Sequence, residues 1–84
     1  MRANETAAAF MSDEDAIRDR ELFVQNLGIL LSQTCDGVVG CELIDAETPF
    51  EKVRVTYKGG GERWIGTYMD SYAAIVRDVA KRFQ

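Results

Sequence analysis

Five carboxylates crowd into nine residues near the start of the chain, Asp13, Glu14, Asp15, Asp19 and Glu21, and Glu42, Asp45, Glu47 and Glu51 follow. Carboxylates in such number could hold a hard cation, or imitate the phosphates of a nucleic acid before a basic groove on a protein partner. A cation site needs oxygens that converge in a cleft. Acids spread along one exposed helix do not converge, so neither a metal nor any other cofactor is expected. The phosphate-mimic reading stands beside a plainer one: a solvated helix face whose acids oppose the positive end of the helix dipole and whose Asp15 meets Arg18 at helical spacing.

A second group has the opposite sign. Lys52 and Arg54 alternate along one strand pattern, Lys58 follows in a glycine loop, and Arg63 comes just after it, with Trp64 and Tyr68 beyond. Cations and aromatics on one sheet face could stack bases and neutralise phosphates, or they could dock an acidic protein or a second copy of the chain. The alternative is a solvent-facing sheet protected by charge, with Trp64 turned into the core.

Catalytic chemistry has little to work with. The chain has no histidine, the commonest general base at neutral pH and the partner of serine and cysteine nucleophiles. Cys35 and Cys41 lack the spacing of a zinc knuckle or of a Cys-x-x-Cys redox site and are expected to be reduced, small apolar residues. Gly59-Gly60-Gly61-Glu62 lacks the lysine and hydroxyl of a phosphate loop and reads as a hairpin turn. No catalytic residue is expected, and the chain is read as non-enzymatic.

The elements that would position these groups must come from 84 residues, 46% of them hydrophobic and 29% charged, which is one small domain. The net charge of −4 hides a division. Residues 1–51 hold eleven acids and three bases, a net of −8, while residues 52–84 hold seven bases and three acids, a net of +4. No run approaches the roughly 18 apolar residues of a membrane span, and the N-terminus lacks a signal-peptide pattern, so a cytoplasmic protein with no membrane partner is expected. Residues 1–11 read as a flexible extension with a second possible start at Met11, and residues 12–84 as the folded domain.

A helix is expected from Ser12 or Asp13, its core stripe running through Ile17, Val24, Leu27, Leu31 and Cys35, widened by Phe23 and Leu30. Arg20 falls inside that arc, and its guanidinium is expected to reach water past an apolar stem. Leu22 and Ile29 fall off the stripe and are candidates for self-association. Asp36-Gly37 ends the helix. Three strands follow: one over 38–44 with Val39, Cys41 and Leu43 inward, one over 50–57 with Val53, Val55 and Tyr57 on one face, and one over 62–69. The third strand could slip by one residue. The register chosen turns Ile65, Thr67 and Met69 inward and leaves Trp64 and Tyr68 outside. Asp70-Ser71 then caps a final helix with Tyr72 at its start and Ile75, Val76, Val79, Ala80 and Phe83 at core spacing. The expected fold is a two-layer α+β arrangement, helix, three-stranded antiparallel meander, helix (αβββα).

Residues 53–79 read Val-Arg-Val-Thr-Tyr-Lys-Gly-Gly, seven further residues, then Tyr-Met-Asp-Ser-Tyr-Ala-Ala-Ile-Val-Arg-Asp-Val. This third of the chain resembles small uncharacterised proteins of phages and conjugative elements of Gram-positive bacteria. Their pattern is Val-x-Val-x-Tyr-x-Asn-Gly followed by Asp-Ser-x-x-Ala-hydrophobic-Ile-x-Asp-Val, and here Gly59 or Gly60 replaces the Asn-Gly pair. The resemblance implies a mobile-element setting, where many small acidic proteins bind and block host defence machinery, as anti-CRISPR proteins do. The function expected is therefore a protein-binding accessory factor, an inhibitor by that analogy. The alternative is a nucleic-acid-binding module using Lys52, Arg54, Lys58, Arg63, Trp64 and Tyr68, which the net negative charge disfavours.

Overall fold

Asp13–Thr34 forms the long helix α1 because Arg20, Val24, Leu27 and Leu31 recur on one side of it and no proline interrupts them. The computed structural model describes residues 13–83, so the expected extension over 1–11 and the Ser12 option for the helix cap lie outside the described residues. The helix stops where Gly37 takes φ 89°, a left-handed conformation open to glycine at little cost. Strands β1 (Val38–Ile44), β2 (Lys52–Tyr57) and β3 (Glu62–Gly66) then form an antiparallel sheet in the order β1-β2-β3. Between β2 and β3, Gly59 and Gly60 carry φ 89° and 92° and the Gly60 N–H donates to the Tyr57 carbonyl at 3.0 Å. Helix α2 (Tyr72–Ala80) starts at Ser71, whose Oγ accepts the Ala74 N–H at 3.1 Å, and ends in a 3₁₀ turn over Lys81–Phe83. The αβββα order is the one the sequence pattern predicts.

Both helices serve one core. Val24 of α1, Leu43, Val53, Val55 and Ile65 of the sheet, and Ile75 and Val79 of α2 are buried together. Helix α1 also lies close against β1. A Cβ added at Gly28 would fall 2.3 Å from the Cys41 backbone nitrogen, so glycine is what lets helix and strand backbones approach.

The polar centre of the fold is an ion pair. Arg20 donates from Nε to Glu51 Oε2 at 2.8 Å and from Nη2 to Glu51 Oε1 at 2.6 Å. Two of its other donors reach the carbonyls of Asp70 (2.7 Å) and Thr67 (3.0 Å). Glu51 accepts two more bonds, from Thr67 Oγ1 at 2.7 Å and from the Glu47 N–H at 2.8 Å. Arg20, Glu51 and Thr67 are all buried. One guanidinium thus ties α1 to the turn before β2 and to the turn between β3 and α2. Those two turns carry the positive-φ residues other than glycine among the described residues, Asp45, Glu47 and Met69. Such conformations cost on the order of 1–3 kcal/mol each and persist where surrounding bonds impose them.

Several side chains differ from expectation. Arg20 does not reach water, because a bidentate carboxylate and two carbonyls use its donors inside the protein. Glu51 does not belong to the acidic surface for the same reason. Val39 is 56% exposed: the β1–β2 register shifts between Val38 and Gly40, and this bulge turns Val38 inward instead. The register predicted for β3 is the one observed, with Ile65 and Thr67 buried, but the strand ends at Gly66 and Met69, in a turn at φ 68°, is 82% exposed. On the helices, Leu30, Val76 and Ala80 lie exposed instead of completing the core.

These contacts predict a specific pattern of stability. Removing one member of a buried pair leaves the other charged and unpaired, so Arg20→Met should cost about 3–5 kcal/mol. Arg20→Met combined with Glu51→Leu should cost less than the two single losses together. Urea denaturation measures both, and additive losses would contradict the coupling. Burial pushes the Glu51 carboxyl up, but the bonds from Arg20, the Glu47 N–H and Thr67 outweigh it and hold the group below its ordinary value. A depressed carboxyl stabilises the fold above the ordinary carboxylate range and loses that contribution as pH falls through its folded-state value. Acid titration of stability should therefore be shallower in Glu51→Gln than in the natural sequence. Gly28→Ala should destabilise by about 1–3 kcal/mol, since helix and strand must separate to admit the methyl group.

Candidate interaction surface

Strand alternation builds one face of the sheet from Glu42 of β1, Lys52 and Arg54 of β2, and Glu62 and Trp64 of β3. Val24 of α1 and Ile75 and Val79 of α2 are buried on the other face. Glu42 stands opposite Arg54 in the β1–β2 register, and Arg54 stands opposite Trp64 in the β2–β3 register. Arg54 is ion-paired with Glu42 on one side and lies 3.6 Å from Glu62 on the other. The Lys52 ammonium lies 5.5 Å and the Arg54 guanidinium 5.7 Å from the centre of the Trp64 ring. Two cations thus hold an indole ring that is still 46% exposed. Cation–π contacts at such exposed sites contribute about 0.5–1 kcal/mol each, enough to orient the ring without burying it.

Of the basic and aromatic residues singled out in the sequence, Lys52, Arg54 and Trp64 share this face. Tyr68 is exposed in the turn just beyond β3, and Lys58 is exposed at the hairpin tip. Arg63 does not join them. Its place opposite Val55 turns it to the helix side, where Nη1 donates at 3.3 Å to the carbonyl of Arg82 in the 3₁₀ turn after α2.

The acidic residues of α1 spread over a broad arc interrupted by a cation. At about 100° per residue, Asp15 and Asp19 fall on one flank of α1 and Glu14 and Glu21 on another, with Arg18 between them. Asp15 lies 3.6 Å from Arg18, and Asp19 accepts the Tyr72 hydroxyl at 2.8 Å. The side chain of Asp13 lies outside the described residues. Asp19 thereby helps place α2, together with the stacking of Phe23 on Tyr72 at 4.5 Å.

Other groups are structural or local. Leu22 and Ile29 are more than half exposed, and nearby Phe23, Leu27, Leu30 and Val76 line a shallow apolar groove between α1 and α2. Cys35 and Cys41 are free thiols, and burial pushes the Cys41 thiol up to about 11. Asp70 and Asp78 interact across the start and end of α2: burial first and Asp78 second raise the Asp70 carboxyl, while the bonds to Asp70 and Arg77 lower Asp78. Among the described residues no three Cys, Asp or Glu side chains gather as a metal site would require.

Trp64 is the only tryptophan, so its fluorescence reports this face alone. Acrylamide should quench it efficiently in the folded protein, and Lys52→Ala with Arg54→Ala should increase that quenching by freeing the ring. Emission typical of a buried indole would contradict the observed register. Comparison with protein-family models, with curated proteins and with solved structures found no match for this chain.

Proposed function

We propose that this chain is a small, non-enzymatic accessory protein that docks a protein partner on the open sheet face centred on Trp64. The observation that carries the reading is the half-exposed indole held between Lys52 and Arg54 on a sheet face that no described element covers. Tryptophan and arginine are the side chains that dominate binding energy at protein interfaces, and a pre-positioned ring loses little freedom on docking. The neighbouring charges favour protein over nucleic acid. Glu42 and Glu62 flank Arg54 and offset its charge, so the face lacks the surplus of cations that phosphate contacts need. The likeness of residues 53–79 to proteins of phages and conjugative elements supports a cytoplasmic setting and a partner among host defence proteins, which docking would inhibit.

The test is capture of proteins from a bacterial lysate on the immobilised full chain, compared with the Trp64→Ser and Lys52→Glu variants. A protein retained by the natural sequence and lost from both variants, with circular dichroism unchanged, is the expected result. Retention unaffected by either substitution would reject this face. Retention of DNA or RNA in gel shifts at low salt, lost steeply as salt rises, would replace the reading with the nucleic-acid one.

A further inference from the structure

The two edges of the sheet are treated differently. The Tyr57 N–H donates to the Gly61 carbonyl at 2.8 Å, and the Thr67 N–H to the Glu51 carbonyl at 3.2 Å. Between these two pairs Val55 stands opposite Arg63 and Val53 opposite Ile65. In an antiparallel ladder backbone groups alternate in direction, so residues 61, 63, 65 and 67 turn toward β2. Glu62, Trp64 and Gly66 therefore turn their N–H and C=O groups outward. The same alternation turns Cys41 outward on β1, but there α1 covers the edge at Gly28 and a bulge distorts it. Strand β3 has neither device, contains no proline, and pairs with no described strand on its outer side.

Charge specifies what would fit there. Beneath the β3 edge lies a cleft of about 380 Å³ lined by Ile65, Gly66, Asp78, Lys81 and Arg82. Lys81 and Arg82 are exposed and make no ion pair with any described residue, and Arg63 reaches into the same region to bond the Arg82 carbonyl. Asp78, the one acid lining the cleft, lies 3.1 Å from Arg77 and is also bonded to Asp70, and the nearby Lys81 charge contributes only a smaller lowering of its carboxyl. A second copy of β3 paired here would bring these cations against their own counterparts, which opposes self-pairing.

We propose that the outer edge of β3 takes an extended acidic peptide segment as a fourth strand, an apolar residue of the segment lying against Trp64 and its two neighbours presenting carboxylates to Arg63, Lys81 and Arg82. The pattern follows from strand geometry. A residue opposite Trp64 shares its face, and the residues on either side of it point to the cleft. This deepens, and rests on, the assignment of the Trp64 face as the docking surface: backbone pairing would supply affinity, and the alternation of apolar and acidic side chains would supply specificity.

The probe is an acetylated, amidated heptapeptide of alternating glutamate and valine, titrated into the full chain and followed by amide resonances and by Trp64 fluorescence. Binding should shift and protect the amides of Glu62, Trp64 and Gly66. Gly66→Pro removes an outward N–H without touching the ladder to β2, and a Cβ at this position meets nothing within 4 Å. That variant should bind about tenfold more weakly, the loss of one backbone hydrogen bond and its neighbour's alignment. Gly66→Ala should bind like the natural sequence. Lys81→Glu with Arg82→Glu should weaken the acidic peptide and favour one with lysine in place of glutamate. Equal binding by Gly66→Pro and Gly66→Ala, or no binding at millimolar peptide, would overturn strand addition. If Trp64→Ser still abolished capture of a lysate protein in that case, the docking face would stand and only the strand mode would fall. Protection of the β3 edge without peptide, accompanied by a doubled mass in light scattering, would assign the edge to a second copy instead. An oligonucleotide bound with no sensitivity to Gly66→Pro would assign the cations to phosphate.

Discussion

The guanidinium of Arg20 sits where α1, the turn before β2 and the turn before α2 meet, and each of its bonds constrains a different segment. The pair with Glu51 fixes how the 45–51 turn delivers β2 to the sheet. The bonds to the Thr67 and Asp70 carbonyls fix where β3 stops and α2 begins. A buried ion pair of this kind is weak evidence for net stability, because desolvation offsets much of its Coulomb energy. Its value here is positional. It adds to the bonds within the turns themselves, Thr48 N–H to the Asp45 carbonyl and Asp70 N–H to the Thr67 carbonyl, which hold the positive-φ conformations at Glu47 and Met69.

That placement decides what the surface presents. Because Thr67 is drawn inward to Glu51, the residues preceding it alternate in a fixed phase: Ile65 enters the core and Trp64 faces out. Glu51, the one buried carboxylate among the described residues, thus reinforces the ladder phase that leaves the single tryptophan exposed. Helix α1 adds the second constraint. Its close approach to β1 at Gly28 closes one edge of the sheet and leaves β3 as the open one. The charge division of the chain becomes spatial through the same arrangement. On α1, Asp15 and Asp19 are engaged with Arg18 and Tyr72, whereas Lys81 and Arg82 of the 3₁₀ turn after α2 gather near the open edge.

Much of the fold was legible from periodicity and turn chemistry. The caps at Gly37 and Ser71, the glycine hairpin at 59–60, the alternation of Val53 and Val55, and the outward phase of Trp64 all follow from local rules that the tertiary structure does not override. The burial of Arg20 and Glu51 escapes periodicity because polar burial depends on partners far away in sequence. Arg20 within an apolar stripe was the available signal. A charged residue there asks for a partner, and Glu51 next to a strand start could answer it, but their separation of 31 positions is invisible to a periodicity argument. Val39 and Met69 were misplaced because a bulge and a left-handed turn each break strand alternation by one residue. For the candidate site, the sequence grouped Arg63 with Lys52 and Arg54 by proximity along the chain. Odd-even parity separates it from them and assigns it to the helix side.

Amide hydrogen exchange along β3, read residue by residue, tests most directly whether the clamp leaves an open and correctly phased edge. Slow exchange at Arg63, Ile65 and Thr67 alternating with fast exchange at Glu62, Trp64 and Gly66 is the result expected of the isolated chain. Uniform protection from 62 to 67 would contradict it, since every outward group would then already have a partner.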